Sequence, residues 1–130
     1  MAVGQPNMKI LVVDDFPTMR RIIKTLLRQN GFTNIVEAEN GVQAIQVLQE
    51  QTDIEFVISD WNMPEMDGLE FIKAVRREAR YSGMVILMVT TETETDQMLR
   101  ALTAGADEYL MKPFQKESLV DKLRLIGIVK

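Results

Sequence analysis

The 130 residues include neither a cysteine nor a histidine. The first absence excludes disulfides and thiolate chemistry and fits a cytoplasmic protein. The second removes histidine general bases and histidine metal ligands, so polar chemistry must rest on carboxylates, hydroxyls and amines. No apolar run approaches the roughly 20 residues needed to span a bilayer. The opening Met1-Ala2-Val3-Gly4-Gln5-Pro6-Asn7 lacks the basic and apolar regions of a signal peptide. Positive charge is short too: 15 Lys and Arg stand against 19 Asp and Glu, a formal net charge of −4. Nucleic-acid surfaces are usually strongly basic, so neither nucleic acid nor membrane is an expected partner. Internal repeats, linkers and low-complexity tracts are also missing.

What remains is an ordinary globular composition, 46% hydrophobic and 26% charged, in a length suited to one domain with a substantial core. A tail over residues 1–7 and a single domain over 8–130 are expected. The organising stretch is Phe56-Val57-Ile58-Ser59-Asp60-Trp61-Asn62-Met63-Pro64. An apolar run ends there on a carboxylate, and a proline halts regular structure shortly after. Buried strands of parallel sheets read as short unbroken apolar runs, so Asp60 belongs at the carboxyl end of a central strand. Open α/β sheets bind ligands on that edge.

Further runs follow the same plan. Lys9-Ile10-Leu11-Val12-Val13 ends on Asp14-Asp15, and Pro17 suits the first turn of a helix. That helix carries Met19, Ile22, Ile23, Leu26 and Leu27 at helical spacing and stops near Gly31. Asn34 to Ala38 reads as an edge strand, and Asn40-Gly41 opens a helix with Val42, Ile45 and Leu48 inward. After the Asp60 strand, a third helix turns Leu69, Ile72 and Val75 inward and Lys73, Arg76 and Arg77 toward water. Met84 to Val89 ends on Thr90-Thr91. A fourth helix carries Met98, Leu99 and Leu102 and closes near Gly105. Glu108 to Met111 ends on Lys112-Pro113, and a last helix places Leu119, Leu123 and Ile126 on one face. The nine methionines mostly occupy apolar positions and read as core filler. Five strands alternating with five helices, joined by right-handed crossovers, give a doubly wound α/β fold: a parallel sheet with helices on both faces.

Asp14, Asp15, Asp60, Thr90 and Lys112 all stand at strand exits, so residues far apart in sequence share one rim. Carboxylate pairs at roughly 4 Å repel by about 4 kcal/mol at an effective dielectric near 20. Lys112 offsets part of this, and a hard divalent cation such as Mg²⁺ would offset more. A carboxylate nucleophile, a metal, a lysine and a hydroxyl suit phosphoryl transfer. Simpler roles stand beside this one. Asp15 could cap the first helix, Thr90 could be a loop hydroxyl and Lys112 a solvated strand-end charge. Tyr109 could be a half-buried aromatic and Trp61 a plain core residue.

From about Met8 to Ile126 the chain resembles the receiver domains of two-component response regulators. The likeness rests on Leu11-Val12-Val13-Asp14-Asp15-Phe16, Asp60-Trp61-Asn62-Met63-Pro64, Met66-Asp67-Gly68, Met88-Val89-Thr90 and Lys112-Pro113-Phe114. Trp61, Asn62 and Thr18-Met19-Arg20-Arg21 point to the single-domain chemotaxis regulators within that family. The resemblance implies a flavodoxin-like sheet of strand order 2-1-3-4-5. It implies a signalling protein that catalyses only its own phosphoryl transfer and dephosphorylation. Asp60 would accept the phosphoryl group from a partner histidine kinase, or from small phosphodonors. Asp15 and Asp60 would ligate Mg²⁺ by side chain, Asn62 by its backbone carbonyl and Asp14 through water. Lys112 would contact the phosphoryl group or Asp60, and the peptide bond before Pro113 would be cis. Thr90 would bond the phosphoryl oxygens and Tyr109 would turn inward, altering the face formed by the fourth helix, fifth strand and fifth helix. Asn62 and Glu92 would influence the lifetime of the phosphoryl group. A monomer that controls the flagellar motor, with a phosphatase as a further partner, is the expectation.

The sequence departs from the better-known chemotaxis regulators on the output side. Glu94 and Thr95, followed by Asp96, replace a lysine pair at the start of the fourth helix, and Thr91 replaces a smaller alanine. A phosphate sink, or a receiver serving something other than the motor, shares all of the chemistry. An aspartate-nucleophile phosphatase of the haloacid dehalogenase type would need an acid where Asn62 stands. A flavodoxin-type cofactor binder would want a hydroxyl- and glycine-rich loop where Asp14-Asp15-Phe16-Pro17 lies.

Overall fold

The computed structural model describes residues 7–91 and 95–129. Most of the expected residue 1–7 tail, together with Glu92 and Glu94, therefore lies outside the described residues. Five strands are present: β1 (Lys9–Val13), β2 (Ile35–Ala38), β3 (Ile54–Asp60), β4 (Val85–Thr90) and β5 (Glu108–Met111). They form one sheet in the order β2-β1-β3-β4-β5, and every pairing is parallel. The helices are α1 (Pro17–Gln29), α2 (Gly41–Glu50), α3 (Gly68–Arg76), α4 (Thr95–Ala104) and α5 (Lys116–Leu125). A short 3₁₀ turn at Ala79–Tyr81 is an addition that apolar periodicity does not reveal.

Strand alternation divides the core into two layers. Leu11, Val13, Val57, Ile86 and Met88 face α2, α3 and α4, where Ala44, Leu48, Phe71, Ile72, Val75 and Ala101 meet them. Ile10, Val12, Phe56, Ile58, Leu87 and Val89 face α1 and α5, meeting Ile23, Leu27, Leu119 and Leu123. Burying each such large apolar side chain contributes roughly 1.5–3 kcal/mol. The central strands are buried on both faces, which is why they read as unbroken apolar runs.

Local signals set the helix ends. Pro17 occupies the first turn of α1. The Asn40 side chain accepts from the Gln43 N–H at the start of α2. At α3, Asp67 and Glu70 form a reciprocal capping box. Beyond α4, Gly105 sits at φ +123°, and a Cβ there would lie 2.5 Å from Arg76 Cγ.

Some side-chain assignments are corrected. Val42, expected on the inner face of α2, is 40% exposed, and Ile22 (44%), Leu99 (55%) and Leu102 (38%) also reach solvent despite their helical spacing. Ala44 on α2 and Ala101 on α4 lie in the core cluster with the sheet, beside Leu48, while Gly41 is buried against Met66. Arg76 does not face water freely. Its guanidinium donates to the carbonyls of Gly105 and Tyr81 at 3.0 Å each and pairs with Asp107 at 3.1 Å.

Candidate functional site

Parallel pairing brings the strand exits to one rim. Val13 lies beside Ser59, Asp60 beside Val89, and Thr90 beside Met111. Asp14 therefore emerges next to Asp60, with Thr90 one strand further on. Lys112 continues from β5, its backbone N–H donating to the Thr90 carbonyl at 2.7 Å. The Lys112–Pro113 peptide bond is cis, as the resemblance implied. Lys112 Nζ reaches Asp14 Oδ2 at 3.0 Å and Asp60 Oδ1 at 3.1 Å. One ammonium thus bridges two carboxylates contributed by different strands.

All of this is nearly dry: Asp14 is 1% exposed, Asp60 6% and Thr90 2%. Burial pushes the Asp60 carboxyl above its usual range, Lys112 pulls it back, and the nearby Asp14 charge raises it again. The net shift is upward. Ionising Asp60 therefore costs the fold stability, and the cost develops as pH rises through the gap between its ordinary and its raised value. Burial alone would pull Lys112 down, but the Asp60 and Asp14 charges outweigh it and the ammonium is held above the usual lysine range. Its stabilising contribution is fully present at neutral pH and is lost only as pH climbs through that raised value.

The remaining acceptors are shared out among specific donors. Asp60 Oδ1 also accepts from the Trp61 N–H at 2.9 Å, while Asp14 Oδ1 accepts from the Phe16 N–H at 2.9 Å. Asp15 is placed differently. The N-cap of α1 is Phe16, which has no side-chain cap, so the capping role open to Asp15 is not taken up. Its Oδ1 is buried without a hydrogen-bond partner. One oxygen from each of Asp14, Asp15 and Asp60 lies within 4.8 Å of the others. A hard oxygen-binding cation fits that donor set, and it would supply the partner that Asp15 Oδ1 lacks.

The loop after β3 is drawn tightly against the strand end. The Gly68 N–H donates to the Trp61 carbonyl at 2.7 Å, and a Cβ at Gly68 would collide with the Asp60 carbonyl oxygen. Any side chain there would displace the backbone that carries Asp60. Glu65 adopts φ +67° at the tip of this loop, an uncommon conformation for a residue with a side chain. Asn62, just beyond buried Trp61, is exposed.

Two supporting residues stand out only in three dimensions. Arg20 Nη1 donates to the Asp14 carbonyl at 2.6 Å while its Nε pairs with Glu37 at 2.9 Å. The Ser59 hydroxyl donates to the Asp60 carbonyl at 2.9 Å. In the sequence Arg20 belongs to the stretch that marks the chemotaxis regulators, and Ser59 is merely a polar residue inside an apolar run.

Trp61 packs into the core at 6% exposure, with the Arg100 guanidinium of α4 lying 6.0 Å from the ring centre. Tyr109, opposite Met88 in β5, is partly buried, and Lys122 Nζ lies 4.8 Å from its ring centre. Asp14, Asp15, Asp60 and Lys112 are thus brought together, with Thr90 at the adjoining strand exit and Asn62 on the overlying loop. Tyr109 stands one strand away, and Glu92 falls outside the described residues. No helix among the described residues is long and apolar enough to cross a membrane.

Comparison with known proteins follows the same lines. A family model described as the response regulator receiver domain matches residues 10–124. A Campylobacter jejuni protein named chemotaxis protein CheY homolog is 50% identical over 116 residues, 89% of each chain. The Vibrio cholerae chemotaxis protein CheY-3 is 44% identical over 122 residues, 94% of this chain and 93% of that one. Among solved structures, Vibrio cholerae CheY4 superposes with a TM-score of 0.84 at 36% identity, covering 92% of this chain and 98% of its own.

Proposed function

The chain belongs to the response regulator receiver family, and on that premise we propose that it is a phosphoacceptor switch in chemotaxis, charged at Asp60 by a histidine kinase. The observation that carries this reading is the Lys112 ammonium held 3.0 and 3.1 Å from Asp14 and Asp60, beside an Asp15 oxygen that has no partner. Such a rim is built to take up a cation and an anion together.

An Asp60 carboxylate oxygen attacks the phosphorus of the donor phosphohistidine. The P–O bond forms as the P–N bond breaks, and the imidazole leaves with the electron pair. This chain has no histidine, so the donor is another protein or a small phosphodonor. Asp15 and Asp60, with the Asn62 carbonyl and Asp14 through water, would hold Mg²⁺, which would neutralise charge building up on the transferring oxygens. Lys112 follows that charge from Asp60 onto the phosphoryl group. The Thr90 hydroxyl donates to a phosphoryl oxygen, and Tyr109 turns toward the space left behind. Together these movements reshape the face made by α4, β5 and α5, where the flagellar switch and a phosphatase dock. Couplings of this kind amount to about 1–3 kcal/mol, a shift of populations. Asn62 and Glu92 would set the lifetime of the acyl phosphate against hydrolysis.

A second reading, a phosphate sink or a receiver with a different output, is favoured by Thr95, exposed at one of the two positions where a lysine pair is usual, with exposed Asp96 following it. Both readings require Asp60. Labelling by acetyl phosphate with Mg²⁺ should be abolished in Asp60→Asn and strongly reduced by chelation; unchanged labelling of Asp60→Asn would overturn the assignment. Lys112→Arg should keep labelling and blunt signalling. A pulldown with the N-terminal peptide of the flagellar switch protein, comparing phosphorylated with unmodified chain, separates motor control from the sink.

A further inference from the structure

The groove between α3 and α4 lies apart from the carboxylate rim and plays no part in the phosphoacceptor chemistry. It measures about 560 Å³, and its walls include Leu69, Lys73, Arg77, Leu99, Arg100 and Thr103. On a chain of net charge −4, this is a local concentration of positive charge. Arg76 also reaches the groove, but Asp107 and two carbonyls already engage it. The other three cations are uncommitted: among the described residues none of Lys73, Arg77 and Arg100 forms an ion pair. Arg100 is held only by neutral groups, the Gln97 side-chain oxygen at 3.1 Å and the Trp61 ring. Between the cations Leu99 stands 55% exposed.

We propose that this groove docks an acidic, leucine-bearing segment of a partner protein while Asp60 is unmodified. Carboxylates of the segment pair with Lys73, Arg77 and Arg100, and an apolar side chain covers Leu99. A guanidinium or ammonium paired at the edge of a groove mainly sets partner choice and encounter rate, while the covered leucine holds the complex. Other occupants fit less well. A second copy related by two-fold symmetry would set like charges against each other. The residues preceding β1 carry no carboxylate to offer. A nucleic acid would gain from the three cations but would leave Leu99 uncovered beside an otherwise acidic molecule.

The test is fluorescence anisotropy of a labelled peptide of alternating glutamate and leucine, titrated at low salt with the unphosphorylated full chain. The control peptide alternates lysine and leucine. The expected result is saturable binding of the acidic peptide alone, weakened at least about tenfold by the double reversal Lys73→Glu with Arg77→Glu. Leu99→Asp should weaken it comparably, while Lys116→Glu, an exposed reversal on α5, should leave it unchanged. Amide shifts in the NMR spectrum should cluster on residues 69–77 and 95–104, and Asp60→Asn should bind as well as the parent chain. Equal loss in Lys116→Glu would overturn the proposal, as would binding indifferent to the groove reversals. Tighter binding of a single-stranded oligonucleotide than of the acidic peptide would also overturn it. Circular dichroism of each variant separates lost binding from lost folding, and a folded groove variant that still binds counts against the groove.

Discussion

Two neighbouring helices on one face of the sheet are secured very differently. α3 begins with a reciprocal capping box, buries Gly68, Leu69, Phe71, Ile72 and Val75, and ends on an arginine with three hydrogen-bonding partners. α4, of similar length, buries only Ala101 and leaves Leu99 and Leu102 in solvent. α3 is thus a fixed wall behind the loop that follows β3, while α4 has few buried apolar contacts holding it. Elements that move in a switch come from the less stable part of a fold. A helix held chiefly by one alanine can change position at small energetic cost, whereas a helix anchored by a phenylalanine and an isoleucine cannot.

Substitutions should expose this asymmetry. The largest effect is expected from Phe71→Ala on α3, which empties a fully buried site and should cost about 3–5 kcal/mol in urea unfolding. Loss below 1 kcal/mol would mean that α3 is not the fixed partner. Next comes Arg76→Met, which keeps bulk but removes the bonds to Gly105, Tyr81 and Asp107. It should cost about 1–3 kcal/mol and speed amide exchange around residues 101–106 more than within α3. Uniform acceleration would show that the arginine supports the whole domain and not the end of α4. Asp67→Ala removes the cap of α3 and should lower stability by about 1 kcal/mol, read as a drop in melting temperature. The smallest change belongs to Leu99→Ser, within about 0.5 kcal/mol of the parent. A larger destabilisation would place Leu99 in contacts that its exposure denies.

The contrast also explains which features could be read in the sequence. Strand exits were legible because a both-faces-buried strand leaves a continuous apolar run and stops on the first polar residue. That placed Asp14, Asp60, Thr90 and Lys112 on the rim, where the structure has them. The inner faces of α2 and α4 were legible only in part. Leu48 is buried as its spacing suggested, but periodicity weights large apolar residues and passes over Ala44 and Ala101, which are buried in the same cluster. Arg76 read as solvent-facing since charge usually is, yet its flexible stem carries the guanidinium to the carbonyls of Tyr81, five residues on, and Gly105, twenty-nine residues on. Nothing local in the sequence marks those carbonyls as in need of a donor. Gly68 appeared only as part of a family signature, and its requirement becomes visible through the neighbouring Asp60 carbonyl.

Trp61 is the only tryptophan in the chain, and its backbone N–H is bonded to Asp60 while a cation from α4 overlies its ring. The molecule therefore carries a built-in optical probe at the junction of its two regions. Emission from that single indole reads the acceptor carboxylate through one neighbour and the loosely held helix through the other, so both can be followed in unlabelled protein, in real time, with nothing attached.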